Sequence, residues 1–263
     1  MPNRIEDCFQ RLRAKKRKGF IPYICAGDPT LGKTVDLSLA LAKAGADVLE
    51  LGVPFSDPLA DGIVNQLAAQ RALAAGTTVR GVLDGVRKIR AQSEIPIVLY
   101  TYTNPIFQFG LAGFHREAEA AGVDGLLILD LPPEEDLDAT AGNLVHIRLV
   151  APTTPPARMA EIVKGARGFL YYVSREGVTG ARETVATSLA ERVGELKKLS
   201  PLPVAVGFGI STAEQAREVA QYADAVVVGS AIVSQVAEHG AKPDLVQRVS
   251  AFVKPMIEAV VAV

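Results

Sequence analysis

The chain has 263 residues, 49% of them hydrophobic and 22% charged, with a formal net charge of −1. That balance and a pI of about 6.3 give no electrostatic footprint for nucleic acid or an anionic membrane, and no apolar run approaches the roughly 18 residues of a spanning helix. One large domain over residues 1–263 is expected, since α/β barrels reach this length as single units, and a polar, basic start without an apolar stretch before a cleavage site is expected of a cytoplasmic protein.

The first segment begins near Pro2 and carries Ile5, Cys8, Phe9 and Leu12 on one stripe, an amphipathic helix closed by the basic run Arg11 to Lys18. Cations suit a helix C-terminus. Runs rich in branched apolar residues then recur over Phe20–Ala26, Asp47–Val53, Pro96–Tyr102, Gly125–Leu131, Ile147–Ala151, Phe169–Ser174, Val204–Phe208 and Ala225–Gly229. Between them, helical periodicity covers Lys33–Ala44, Gln66–Ala75, Val79–Ala91, Leu111–Ala121, Met159–Gly165, Thr187–Leu199 and Thr212–Tyr222. Near-continuous apolar strands alternating with helices imply a parallel sheet covered on its outer face. Eight such units imply an α/β fold closed into a (β/α)₈ TIM barrel, with an extra N-terminal helix placed to plug its floor and additional helices in the βα loops. The alternative is an open doubly wound sheet, which usually carries a Gly-x-Gly-x-x-Gly after its first strand; none follows here.

The second strand run contains a carboxylate. A buried Glu50 costs several kcal/mol unless something compensates it. Side-chain alternation puts Val48 and Glu50 on one side, Leu49 and Leu51 on the other. With the leucines against helices, Glu50 points into the barrel mouth. Asp61 lies eleven residues on, at the far end of a loop with two prolines, able to fold back over the strand end. A strand acid facing a loop acid suggests proton transfer. An internal ion pair is the structural alternative, although neighbouring strand runs offer no inward cation.

Three later loops place glycine where a strand ends: Ser174-Arg-Glu-Gly-Val-Thr-Gly180, Gly207-Phe-Gly-Ile-Ser-Thr212 and Val228-Gly-Ser-Ala231. Glycine lets backbone N–H groups approach an anion, and a following helix N-terminus adds partial positive charge, so phosphate binding is expected. Ser211 with Glu214 also fits a capping box, which would make part of this pattern helix initiation. The first of the three loops, long and polar up to about Thr187, is a candidate lid or an ordinary surface loop. Cys8 and Cys25 fit no metal or redox spacing, and His115, His146 and His239 lack a second ligand at helical spacing.

Leu49-Glu-Leu-Gly-Val-Pro-Phe-Ser-Asp-Pro-Leu-Ala-Asp-Gly62 closely resembles the signature of the tryptophan synthase alpha chain family. Gly27-Asp-Pro29, Tyr102-Thr-Asn-Pro105, Asp130-Leu-Pro132 and the three glycine loops match in family order from the first strand to the eighth. The resemblance implies a lyase that cleaves indole-3-glycerol phosphate to indole and glyceraldehyde 3-phosphate by a retro-aldol step, with no cofactor or metal. By the same resemblance Glu50 carries the proton, Asp61 receives the indole N–H and Tyr171 helps to orient the acid. Gly180, Phe208, Gly209, Gly229 and Ser230 would hold the phosphate. Tyr23, Tyr100, Tyr102 and Leu127 would wall the indole pocket, and Thr179 would meet Asp61 on closure. Tyr23 and Tyr100 stand where phenylalanine and leucine are familiar, and Asp61-Gly-Ile63 replaces Asp-Gly-Pro, which implies a more polar pocket.

The family implies a partner, the tryptophan synthase beta chain, in an α₂β₂ assembly that passes indole through a tunnel. The loop after Asp57 and the segment around Pro132 match docking regions, although Pro58, Pro132 and Pro133 equally fit simple turns. Another phosphate-binding barrel enzyme, a stand-alone indole-releasing lyase, and a non-enzymatic barrel that activates a partner are the other readings.

Overall fold

Nine parallel strand segments form one sheet that closes on itself in the computed structural model, which describes residues 3–135, 142–174, 182–207 and 209–263 and, in the helix that begins at Arg182, side chains from Leu189 onward. The strands are β1 (Gly19–Cys25), β2 (Leu49–Gly52), β3 (Ile97–Thr101), β4 (Gly125–Ile128), β5 (Val145–His146), β6 (Arg148–Val150), β7 (Leu170–Val173), β8 (Val204–Gly207) and β9 (Ala225–Val228). Their order is β5-β4-β3-β2-β1-β9-β8-β7-β6. The two ends of that order are one stretch of chain interrupted at Ile147: β5 pairs with β4 and β6 with β7. The fifth strand of the expected barrel therefore serves both neighbours in turn and closes the ring.

Eleven helices are present among the described residues: α1 (Arg4–Ala14), α2 (Leu31–Ala44), α3 (Ile63–Ala74), α4 (Val79–Arg90), α5 (Thr103–Phe109), α6 (Leu111–Ala121), α7 (Pro156–Ile162), α8 (Arg182–Leu199), α9 (Ala213–Ala220), α10 (Ser230–His239) and α11 (Leu245–Val261). Of these, α5, α10 and α11 lie outside the segments that periodicity picks out. The expected capping box is also displaced by one residue. Thr212, not Ser211, caps α9, and Gln215 at the third helical position returns the bond. Gln215 Oε1 accepts from the backbone of both Ser211 and Thr212, a role that Glu214, one position earlier, is not placed to fill.

Period-two alternation divides the core. Val48, Val98, Leu127, Phe169, Ala205 and Val227 point inward and pack with Ile5, Cys8, Phe9 and Leu12 of α1. Leu49, Leu51, Ile97, Leu99, Leu126 and Val226 point outward, against the helical layer. α1 plugs the floor as expected, and buried Asn3 fixes it there: its Oδ1 accepts from Ile5 N at 2.9 Å, while its Nδ2 donates to the carbonyls of Asp124 at 2.8 Å and Asn143 at 2.7 Å. With the floor sealed, the mouth at the strand C-termini is the end left for chemistry.

Candidate active site

The inward positions change character toward the mouth. Below are valine, leucine and phenylalanine; the upper layer holds Glu50, Tyr23, Tyr100 and Tyr171. Tyr23 lies beside Glu50 in register between β1 and β2, Tyr100 of β3 lies beside Gly52 and Leu127, and Tyr171 of β7 lies beside Leu149 and Ala205. Two glycines make space for these rings. A Cβ on Gly52 would lie 2.3 Å from the Tyr23 hydroxyl, and one on Gly207 would lie 2.6 Å from the Tyr171 hydroxyl. The Tyr23 and Tyr100 rings meet edge to face at 5.1 Å, a favoured aromatic arrangement.

Glu50 is 2% exposed, and its Oε1 finds no hydrogen-bond partner among the described residues. No lysine or arginine occupies an inward position of the described strands, which removes the internal ion pair. Burial in this apolar and phenolic layer pushes the Glu50 carboxyl up to about 8, and the negative charge of Asp61 adds to the effect. A raised pKa of this kind favours the protonated carboxylic acid near neutral pH, and among the described residues no cation pairs with it.

Asp61 has the opposite surroundings. It sits half-buried at the end of the β2–α3 loop, where its Oδ1 accepts the Tyr100 hydroxyl at 2.9 Å and Asn65 Nδ2 at 3.4 Å, and its Oδ2 accepts the Tyr102 hydroxyl at 2.8 Å. Burial raises its pKa, and these three donors pull it back. The loop itself is tied down: Ala60 N donates to the Tyr102 hydroxyl at 3.1 Å, and Gln66 Nε2 donates to the Asp61 carbonyl at 2.8 Å. Behind α3, Arg71 clamps buried Asp28 of the β1–α2 loop with bonds of 2.9 and 2.7 Å. That ion pair gives Gly27-Asp-Pro29 a structural task of anchoring α3, and with it the loop ending in Asp61.

Of the remaining expected residues, Tyr171 is buried in the same layer. No hydrogen bond joins it to Glu50 among the described residues, yet after burial the Glu50 charge is the largest influence raising its pKa, so the two are in electrostatic reach. Leu127 lines the interior. On the far side of the mouth, Gly209 adopts the left-handed φ of 69°, where a side chain is strained. Gly229 and Ser230 form the start of α10, which has no side-chain cap; the first N–H groups of a helix lack intrahelical acceptors and favour an anion. Thr179, Gly180 and Phe208 lie outside the described residues, as does most of the expected lid. Sequence reasoning missed the Asp61-holding role of Tyr100 and Tyr102; their spacing along β3 was the available signal. Among the described residues no group of three metal-ligating side chains gathers.

The family model of the tryptophan synthase alpha chain matches residues 9–261. The tryptophan synthase alpha chain of Opitutus terrae is 52% identical over 92% of each chain, and that of Geobacter sulfurreducens is 48% identical over 98% of this chain and 99% of its own. Among solved structures, tryptophan synthase subunit alpha from Legionella pneumophila superposes with a TM-score of 0.92 at 41% identity over the whole of both chains. An aminoacrylate-bound tryptophan synthase from M. tuberculosis matches with a TM-score of 0.87 at 35% identity, covering 98% of this chain and 99% of that one.

Proposed function

The chain belongs to the tryptophan synthase alpha chain family, and from that premise we propose how its own residues carry out the family reaction. The protein is a lyase that cleaves indole-3-glycerol phosphate to indole and glyceraldehyde 3-phosphate in tryptophan biosynthesis. The observation that carries the assignment of roles is a buried Glu50, its Oε1 without a hydrogen-bond partner among the described residues, in electrostatic reach of a separately hydrogen-bonded Asp61.

Glu50 delivers its proton to C3 of the indole ring. The ring nitrogen becomes positively charged, and its N–H is received by the Asp61 carboxylate. Glu50, now ionised, takes the proton of the adjacent glycerol hydroxyl, the bond from C3 to the glycerol carbon breaks, and its electron pair restores the aromatic ring. The net change is one proton moved from hydroxyl to C3, so a single carboxyl whose pKa lies near the working pH suffices as acid and then base. Tyr171, buried in the same layer and in electrostatic reach of this carboxyl, helps to orient it. Tyr23, Tyr100, Tyr102 and Leu127 wall the ring. Gly209, Gly229 and Ser230 hold the phosphate through backbone donors, with Gly180 and Phe208 joining them by family resemblance.

The continuous ring of strands supports reading 1–263 as one domain. A tryptophan synthase beta chain is the proposed partner. Leu59, Ile63 and Phe107 are 94%, 66% and 65% exposed on segments leaving β2 and β3 at the mouth, and apolar residues exposed in that way mark interaction surfaces. A cytoplasmic location is proposed from membership of the family; among the described residues no helix is long and apolar enough to cross a membrane. The test is indole release from indole-3-glycerol phosphate with and without added beta chain. Release that rises on addition supports both reaction and partner, release that does not respond removes the partner, and no release in either case refutes the lyase.

A further inference from the structure

We propose that Tyr100 is a positioning residue for Asp61: opposite Tyr102, it holds the second carboxylate oxygen from strand β3, so that the acceptor for the ring N–H is set by this chain's own barrel. The proposal rests on the lyase reading only for the identity of the group that Asp61 meets.

A carboxylate has about four acceptor positions. In this structure two on Oδ1 are taken by Tyr100 and Asn65 and one on Oδ2 by Tyr102, which leaves one on Oδ2. Tyr100 and Tyr102 alternate along and just beyond β3, so they grip the two oxygens from one rigid element. Asn65, at 3.4 Å, is the longer contact. Tyr100 is itself fixed by the edge-on Tyr23 ring, and a group held by packed neighbours is preorganised for charge that develops later.

Among the described residues, the other groups facing Asp61 supply no cation for its charge. Glu50 comes from β2, Tyr23 and Cys25 from β1, Tyr102 from beyond β3 and Tyr171 from β7; each is neutral or acidic, and the buried thiol and phenols are pushed further toward their neutral forms. Arg71, the cation on α3, is committed to Asp28. Hydroxyl donors therefore oppose the burial that favours protonated Asp61. Removing one should raise the Asp61 pKa, and ionised Asp61 would then be lost at a higher pH as the solution is acidified.

The test is Tyr100→Phe in the full chain, with Tyr100→Leu as a second variant should the first fold poorly. Two readouts are taken: the Asp61 carboxyl titration by ¹³C NMR, assigned against Asp61→Asn, and the pH profile of kcat/KM for indole release in the presence of beta chain. Both the NMR pKa and the acid limb are expected to move up by roughly 0.5 to 1 in pH, with indole release at neutral pH falling roughly 3- to 10-fold, mainly in kcat. An Asp61 titration and an acid limb that both match the parent would overturn the proposal. A shifted Asp61 titration in Tyr100→Phe, together with a parent chain that releases no indole, would sustain the positioning and refute the lyase.

Discussion

A carboxyl that is buried without a partner is the residue on which the chemistry depends. Glu50 is held at a pKa of about 8 against an ordinary 4.5, so at neutral pH the folded protein binds a proton that the unfolded chain releases. A raised folded-state pKa contributes stability that is fully present below about 4.5 and is lost as the pH rises to about 8. Above that, ionised Glu50 is a destabilising charge. Glu50→Gln keeps the shape and cannot ionise. It should therefore resemble the parent in stability near pH 4 and exceed it at pH 9 by a few kcal/mol, measured by urea unfolding at the two pH values. Equal stability of the two proteins at pH 9 would mean that Glu50 is not desolvated in solution.

At the scale of elements, small residues on one strand set the position of large ones on the next. Gly207 of β8 lies where any Cβ would meet the Tyr171 hydroxyl at 2.6 Å and Val227 Cβ at 2.8 Å. Gly207→Ala should cost about 1 to 3 kcal/mol, as overpacking does, and reduce indole release by displacing Tyr171. Adding Tyr171→Phe should recover part of the stability, since it removes the nearest atom; a double variant no more stable than Gly207→Ala would place the strain at Val227 instead. Much of this was legible in the sequence. Alternation along β2 identified the inward direction of Glu50, and glycine after β8 and β9 fell at strand ends on the mouth side; the glycines of the loop after β7 lie outside the described residues. Less legible was anything set by a neighbouring element. The grip of Tyr100 and Tyr102 on Asp61 depends on where the β2–α3 loop folds back. The split at Ile147 depends on ring closure, and the Arg71–Asp28 clamp joins residues 43 positions apart. The cap of α9 shifted by one residue because Thr212 and Gln215, three positions on, close the capping box.

For the whole molecule, a barrel works as a site only if one end is sealed. α1 does this with four apolar side chains and one amide. Asn3, 2% exposed, satisfies three backbone groups from three parts of the chain. Asn3→Ala would take one of two donors from the buried Asp124 carbonyl, which keeps Val145 N, take the Asn3 donor from the half-buried Asn143 carbonyl, and remove a helix cap. A loss of about 2 to 4 kcal/mol is expected, measured as a lower urea midpoint with an unchanged slope. A loss below half a kcal/mol would show that α1 is held by its apolar face alone. The same organisation places exposed Leu59 in the β2–α3 loop and Ile63 at the start of α3, two residues to either side of Asp61, with exposed Phe107 in α5 after β3, so that a beta chain docked there would bear on the residue proposed to receive the indole N–H.

The central claim is that one buried carboxyl moves the proton from the glycerol hydroxyl to the ring. The most direct measurement is the rate of indole release from indole-3-glycerol phosphate by the parent and by Glu50→Gln, each with beta chain present and each shown to be folded. The parent should release indole and the variant should fall by at least three orders of magnitude, an expected loss of about 4 kcal/mol or more in transition-state stabilisation. A variant that turns over within tenfold of the parent would contradict it.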